Sequence, residues 1–119
     1  MTVQKMLGVI AVLAMGLHLY ATSGPSPHDP RNNTGAASIV MLSAEWCGYC
    51  KALRNDLDDM GVAYTELDID EDEGGRAAFR AVKARGVPVL VVGQEVVYGY
   101  DPGRSRALIE AAGHPLASR

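Results

Sequence analysis

The segment "SIVMLSAEWCGYCKALRNDLDDMG", Ser38 to Gly61, constrains the chain more than any other. It opens with a short apolar run, β-branched at Ile39 and Val40 and bounded by polar turns, which predicts a buried strand. From Tyr49 to Met60 the pattern changes. Cys50, Leu53, Leu57 and Met60 recur at intervals of three, four and three, the period of an amphipathic helix, with Gly61 placed to cap its end. The only two cysteines of the chain, Cys47 and Cys50, stand at the junction between strand and helix.

The alternation continues along the chain. "VAYTELDI" predicts a second strand, with Val62, Tyr64 and Glu66 alternating against Ala63, Thr65 and Leu67. "EDEGGRAAFRAVKARG" predicts a helix with Ala78, Phe79 and Val82 inward and Gly86 as its stop. "VPVLVVG" and "EVVYGY" are two strands separated by a tight turn at Gly93 and Gln94, a hairpin. "DPGRSRALIEAAG" predicts a last helix, with Asp101 as N-cap, Pro102 at the first helical position and Gly113 at its close. The order β-α-β-α-β-β-α predicts an α/β fold built on one four-stranded mixed sheet flanked by helices. At 119 residues and 48% hydrophobic content the chain has room for one such domain. Eleven basic against fourteen acidic residues, a formal charge of -3, leave no basic footprint for nucleic acid.

The first 23 residues stand apart from this pattern. "MTVQK" carries Lys5 and precedes "MLGVIAVLAMGLHL", an apolar run of fourteen residues broken only by His18, which has the form of an export signal. Fourteen helical residues rise about 21 Å, short of the roughly 30 Å hydrocarbon core, although extension over residues 6–22 gives a thin span. Cleavage after "ATS" and retention as a membrane anchor are both open. Either places the rest of the chain outside the cytoplasm, in a periplasm or facing it, with Lys5 held inside. Residues 24–35 fall in "SGPSPHDPRNNTG", rich in proline and glycine without an apolar side chain, and are expected to be a linker with His28 and Asp29 in a solvated loop. The domain proper is expected over residues 36–119.

Two thiols separated by two residues suit a redox pair, half a metal site or a crosslink. A structural zinc needs four ligands, and the folded region adds only His114. A crosslink closing a four-residue loop removes little chain entropy. The redox reading gains from position. Cys47 falls where the helix begins, so unpaired backbone N–H groups and the positive end of the helix dipole favour its thiolate, which makes it the nucleophile. Cys50, nearly one turn on, is placed to resolve a mixed disulfide. Trp46 is expected to cover one side of the sulfur and Gly48 to let a substrate backbone approach, while Tyr49 is open between an exposed aromatic at the site and one that simply packs on the sheet edge. At "GVPV" a proline begins an apolar strand. A cis Val87–Pro88 bond would present the Val87 backbone to a substrate strand, while a trans bond would merely start the strand; both are open. Asp68, Asp70 and Asp72 alternate as in a calcium loop. Glu73 stands where that loop needs glycine and Phe79 where it needs glutamate, so the acidic run reads as charge at a helix start. Arg76 and Arg80 read as a solvated face.

"EWCGYCK", then "GVPV", then "GYDP" before a closing helix resembles the thioredoxin superfamily, and more closely its glutaredoxin branch, over about Ala36 to Leu116. The resemblance implies a thioredoxin-like fold, a cis Pro88, a nucleophilic Cys47, a resolving Cys50 and thiol-disulfide exchange with cysteine-containing client proteins or glutathione. It implies no tightly bound cofactor, glutathione as co-substrate, a monomer, and a separate reductase or oxidase as redox partner. Matching positions for substrate are Trp46, Gly48, Tyr49, Val87, Pro88, Tyr100 and Asp101, the last at a helix start where a carboxylate meets N–H groups. The chain departs from the pattern too. Met41 stands where thioredoxins keep a buried acid, Gly86 where typical glutaredoxins have threonine, and "YGYDP" resembles glutaredoxin-like electron donors with an aromatic residue in the glutathione pocket. An alternative is a binding module that carries a [2Fe–2S] cluster through Cys47 and glutathione.

Overall fold

A computed structural model describes residues 27–32 and 38–116. The expected signal or anchor, residues 1–23, lies outside the described residues, and among those described no helix is long and apolar enough to cross a membrane. The expected strand and helix order is present: β1 (Ile39–Ser43), α1 (Gly48–Met60), β2 (Thr65–Asp68), α2 (Glu73–Ala81), β3 (Val89–Val92), β4 (Glu95–Tyr98) and α3 (Pro102–Ala111). The sheet order is β2-β1-β3-β4. β1 pairs parallel with β2 and antiparallel with β3, and β3 pairs antiparallel with β4.

The period of two in β1 divides its side chains between two cores. Ile39 and Met41 pack with Cys50, Leu53, Leu57 and Met60 of α1 and Ile109 of α3. Leu42 packs with Val89 and Val91 of β3 and with Ala78 and Val82 of α2. Two helices therefore cover one face of the sheet and one helix the other. Burial on both faces explains why β1 and β3 read as unbroken apolar runs.

Helix ends follow local chemistry. Gly61 closes α1 in the left-handed region at φ 70°, its N–H donating to the Asp58 carbonyl. Asp101 caps α3 through its carboxylate, which accepts the Arg104 N–H, with Pro102 just inside. The expected stop of α2 at Gly86 is corrected. The helix ends at Ala81, Val82 serves as its cap, and Lys83, at φ 56°, takes the left-handed position. Val82 is held in the core, and its carbonyl accepts the Tyr98 hydroxyl at 2.6 Å, so a partner from β4 satisfies the helix end before glycine is reached. The second strand is also shorter than expected. It is an edge strand whose partner offers only Val40–Ser43, so Val62 and Tyr64 pack as cover for the core without joining the ladder.

Residues 27–32, within the expected linker, lie against the domain. Pro30–Asn32 form a short 3-10 turn, and Gln94 in the β3–β4 turn donates its amide to the Arg31 carbonyl. Asp29 is buried, which corrects the expectation of a solvated loop there. Its carboxylate accepts from the Arg31 backbone N–H and guanidinium Nε, each at 2.9 Å, so the charge enters the surface already paired. Val92, at the end of β3, is registered with Ile39, which puts the Gly93–Gln94 turn and this segment at the end of β1 away from Cys47.

Gly75 in α2 lies tight against the end of β2. A Cβ there would collide with the Asp68 carbonyl oxygen, a backbone atom that cannot swing aside. Gly75→Ala is expected to lower stability by about 2 kcal/mol. A urea midpoint equal to the wild type's would show that the contact yields without cost.

Candidate active site

β1 delivers the chain through Ala44, Glu45 and Trp46 into α1, and the first residue of the turn into the helix is Cys47. Its backbone is extended at φ -92° and ψ 108°, the form of an N-cap, and its sulfur accepts the Cys50 N–H at 3.1 Å. The cysteine thus takes the part usually played by a serine or aspartate oxygen. Cys47 and Cys50 are joined as a disulfide with Cα atoms 5.2 Å apart. They are not equivalent. Cys50 is 0% exposed and Cys47 9% exposed, so only Cys47 meets the surface. A helix start with free N–H groups is the kind of setting that favours a sulfur anion over a thiol.

Of the residues expected at the site, Trp46, Gly48 and Tyr49 flank Cys47 in the chain, and Val87 and Tyr100 pack against the core cluster that contains it. Trp46 is 71% exposed, yet its indole N–H donates to the Asp70 carboxylate at 2.8 Å. Asp70 is fixed in turn. Its backbone N–H and that of Glu71 donate to the Asp68 carboxylate, and its carbonyl accepts the Arg76 guanidinium at 2.6 Å. Sequence reasoning missed this support for Trp46. The acidic run reads as charge at a helix start and Arg76 as solvated, and no local signal ties Trp46 to a carboxylate twenty-four positions on. Gly48 faces open space, since an added Cβ would meet nothing within 4 Å.

Tyr49 does not stand alone. Its ring stacks on Tyr100 with centroids 5.6 Å apart and planes 24° from parallel. The Tyr100 hydroxyl donates to the Asp56 carboxylate of α1 at 2.6 Å, and this bond, with some desolvation, raises the phenol above its ordinary pKa. Val87–Pro88 is cis. Pro88 is buried and Val87 packs against the core cluster that contains both cysteines. Asp101, in contrast, spends its carboxylate on the start of its own helix, on the Arg104 N–H at 3.0 Å. Among the described residues no group of three or more His, Cys, Asp or Glu side chains is placed to hold a metal ion.

A polar network holds α1 against the sheet edge. Glu66 on β2 accepts the Ser43 hydroxyl at 2.8 Å and the Arg54 guanidinium through both oxygens, at 2.7 and 2.6 Å. Arg54 lies one turn after Cys50. The paired guanidinium, opposed by partial burial and assisted by Ser43, holds the Glu66 carboxyl below the usual carboxylate range.

Fold and motif together define a thioredoxin-fold dithiol protein. A glutaredoxin family model matches residues 39–97. The glutaredoxin grx-1 from Archaeoglobus fulgidus is 30% identical with a TM-score of 0.55, over 63% of this chain and 88% of that one. The glutaredoxin-like NrdH-redoxin from Escherichia coli is 22% identical with a TM-score of 0.55, over 60% of this chain and 93% of that one. A buckwheat glutaredoxin in complex with glutathione is 23% identical with a TM-score of 0.53, over 66% of this chain and 81% of that one. These last two likenesses speak for the fold alone. No curated protein matches the chain. The chain belongs to the glutaredoxin family, within the thioredoxin superfamily.

Glu66 supplies a test of how α1 is held. Because its folded pKa is depressed, its contribution is present above the ordinary carboxylate pKa, about 4.3, and is lost as pH falls through the folded value. Glu66→Gln is expected to lower stability by about 0.5–1 kcal/mol at neutral pH, where the pair is partly solvated, with the difference closing in acid. Urea melts of both proteins at neutral pH and at about pH 2–3 read this directly; a constant difference would remove the ion pair as its cause.

Proposed function

We propose that the chain is a thiol-disulfide oxidoreductase that acts outside the cytoplasm, with Cys47 as nucleophile and Cys50 as resolving thiol. The single observation that carries the reading is the asymmetry of the pair: one sulfur at the surface and at a helix N-cap, the other buried directly behind it. Membership of the glutaredoxin family supports thiol-disulfide chemistry at the level of the class.

The exchange runs in two displacements. The Cys47 thiolate attacks one sulfur of a client disulfide, the client S–S bond breaks, and one client sulfur leaves as thiolate while the other stays bonded to Cys47. Cys50, losing its proton, then attacks the Cys47 sulfur and expels the second client thiolate. The client gains two electrons and the Cys47–Cys50 pair becomes the disulfide. Run backwards, the same steps oxidise a client dithiol. Trp46, Gly48, Tyr49, Val87, Pro88 and Tyr100 form the surface on which the client lies, with Asp101 at its margin. A separate reductase or oxidase resets the pair, no tightly bound cofactor takes part, and the chain works as a monomer. The extracytoplasmic setting rests on the apolar segment 6–22, as cleaved signal or retained anchor.

Insulin reduction by dithiothreitol is the direct assay. Cys47→Ser is expected to lose catalysis altogether, and Cys50→Ser to accumulate a mixed disulfide visible as added mass on the intact protein. Activity of Cys47→Ser equal to the wild type would falsify the proposal.

A further inference from the structure

Residues 27–32 are tied down more firmly than a linker requires, and they are tied at one end of the domain. Asp29 is buried, with its carboxylate accepting from the Arg31 N–H and guanidinium. Pro30 is buried in the 3-10 turn, which touches β3, and the Gln94 amide donates to the Arg31 carbonyl. These contacts fix backbone that a loose tail keeps free. The Gly93 N–H donates to the Ser38 carbonyl, so the same turn also holds the chain where it enters β1. Cys47 is at the other end. Val92 is registered with Ile39 and Val89 with Leu42, so β1 runs from the Gly93–Gln94 turn toward the cysteines. Its residues alone cover about 17 Å.

Little chain separates this strap from the apolar run. Only Ser23, Gly24, Pro25 and Ser26 stand between Thr22 and Pro27. Even fully extended, the steps from Thr22 to Pro27 span at most about 18 Å, and the two prolines stiffen them. A domain of about 80 residues is roughly 30 Å across, so this tether is shorter than the domain is wide. Residues 6–22 rise about 25 Å as a helix, a thin span that a bilayer meets by local thinning at modest cost. A leader due for removal leaves a tail with nothing to orient, whereas here the chain is ordered to within a few residues of the apolar run.

We propose that segment 6–22 stays in the membrane and that residues 27–32 are a rigid mount, holding the Gly93–Gln94 end of the domain against the lipid headgroups and Cys47 away from them. The partner of this end is a bilayer surface, met by the exposed polar side chains of Gln94 and Glu95 and by Arg31. Trp46 and Tyr49 ride at the far end, facing water. The proposal rests on the export reading of the proposed function, from which it selects the retained anchor, and not on the thiol chemistry. Its consequence is a substrate class: disulfides of soluble proteins or domains that stand clear of the bilayer.

The test uses the full chain, recovered from bacterial membranes and placed in nanodiscs of phosphatidylethanolamine and phosphatidylglycerol whose headgroups carry a nitroxide quencher. The intact mass is expected to include residues 1–23. Trp46, the only tryptophan, reports the Cys47 end without modification, and Trp46→Phe with Glu95→Trp moves the probe to the other end. Quenching of the probe at position 95 is expected to be at least about threefold stronger than that of Trp46, because the length of β1, about 17 Å, separates their heights. Removing both members of the buried pair, Asp29→Ala with Arg31→Ala, frees the mount and brings that ratio toward one while insulin reduction is unchanged. In the wild type, kcat/KM for insulin in nanodiscs is expected within about twofold of its value in detergent, since lipid does not shield Cys47. A mature chain without residues 1–23, equal quenching at the two positions, stronger quenching of Trp46, a ratio that the strap variant leaves unmoved, or an insulin kcat/KM at least about tenfold lower in nanodiscs overturns the inference. Loss of insulin turnover in both nanodiscs and detergent defeats the oxidoreductase reading alone, and the quenching ratio then decides the mount.

Discussion

β1 is the strand on which everything else is hung. It has a hydrogen-bonded neighbour on each side and helices over both faces, so its register fixes β2, β3 and the two cores at once. Its C-terminal end also fixes the chemistry. Only a few residues separate Ser43 from the first turn of α1, and Cys50, Leu53 and Leu57 anchor that helix in the core formed by Ile39 and Met41. Burying such side chains is worth roughly 1.5–3 kcal/mol each, far more than any polar contact in the region. Cys47, the one cysteine of the pair that reaches the surface, is therefore positioned by apolar packing one turn behind it.

Much of this was legible in the sequence because it depends on near neighbours. The strand-to-helix change of period, the left-handed Gly61 and the Asp101–Pro102 start are all contained within a few residues, and the structure places them as expected. What escaped depends on contacts between distant parts of the chain. Nothing in "YCK" says that Tyr49 meets Tyr100, fifty-one positions away, nor does "EWC" say that Trp46 finds Asp70. The stop of α2 failed for the same reason. Local propensity favours Gly86, but the Tyr98 hydroxyl on the Val82 carbonyl and the burial of Val82 override it. Asp29 escaped because a charged residue among prolines reads as solvated unless its arginine partner two residues on is taken into account.

The domain also has a direction. Residues 27–32 are tied to the Gly93–Gln94 turn, which in turn bonds through the Gly93 N–H to the Ser38 carbonyl before β1, whereas Cys47 lies beyond the other end of β1. Pro27 therefore lies toward the end remote from the cysteines, together with Pro30 and the start of β2 in a cavity of about 730 Å³ lined by Ile39, Val40, Ala63 and Tyr64. The end that carries Cys47 exposes the rings of Trp46 and Tyr49, while the opposite end carries the Asp29–Arg31 ion pair, the Gln94 amide and two prolines.

The charge arrangement beneath α1 separates this chain from the thioredoxin pattern it resembles. Met41 occupies the position of the buried acid, and the residue registered beside it on β2 is Glu66. That carboxylate is not a substitute of the same kind. Both of its oxygens are engaged by Arg54 and one also by Ser43, and this pairing holds its carboxyl below the usual carboxylate range. Its effect is mechanical: it ties the middle of α1 to the edge strand while the apolar side chains fix the depth of the helix. The first turn of α1 is then supported from below by packing and from the side by an ion pair. Chemistry at Cys47 is left to the helix N-terminus and to whatever the rings of Trp46, Tyr49 and Tyr100 admit.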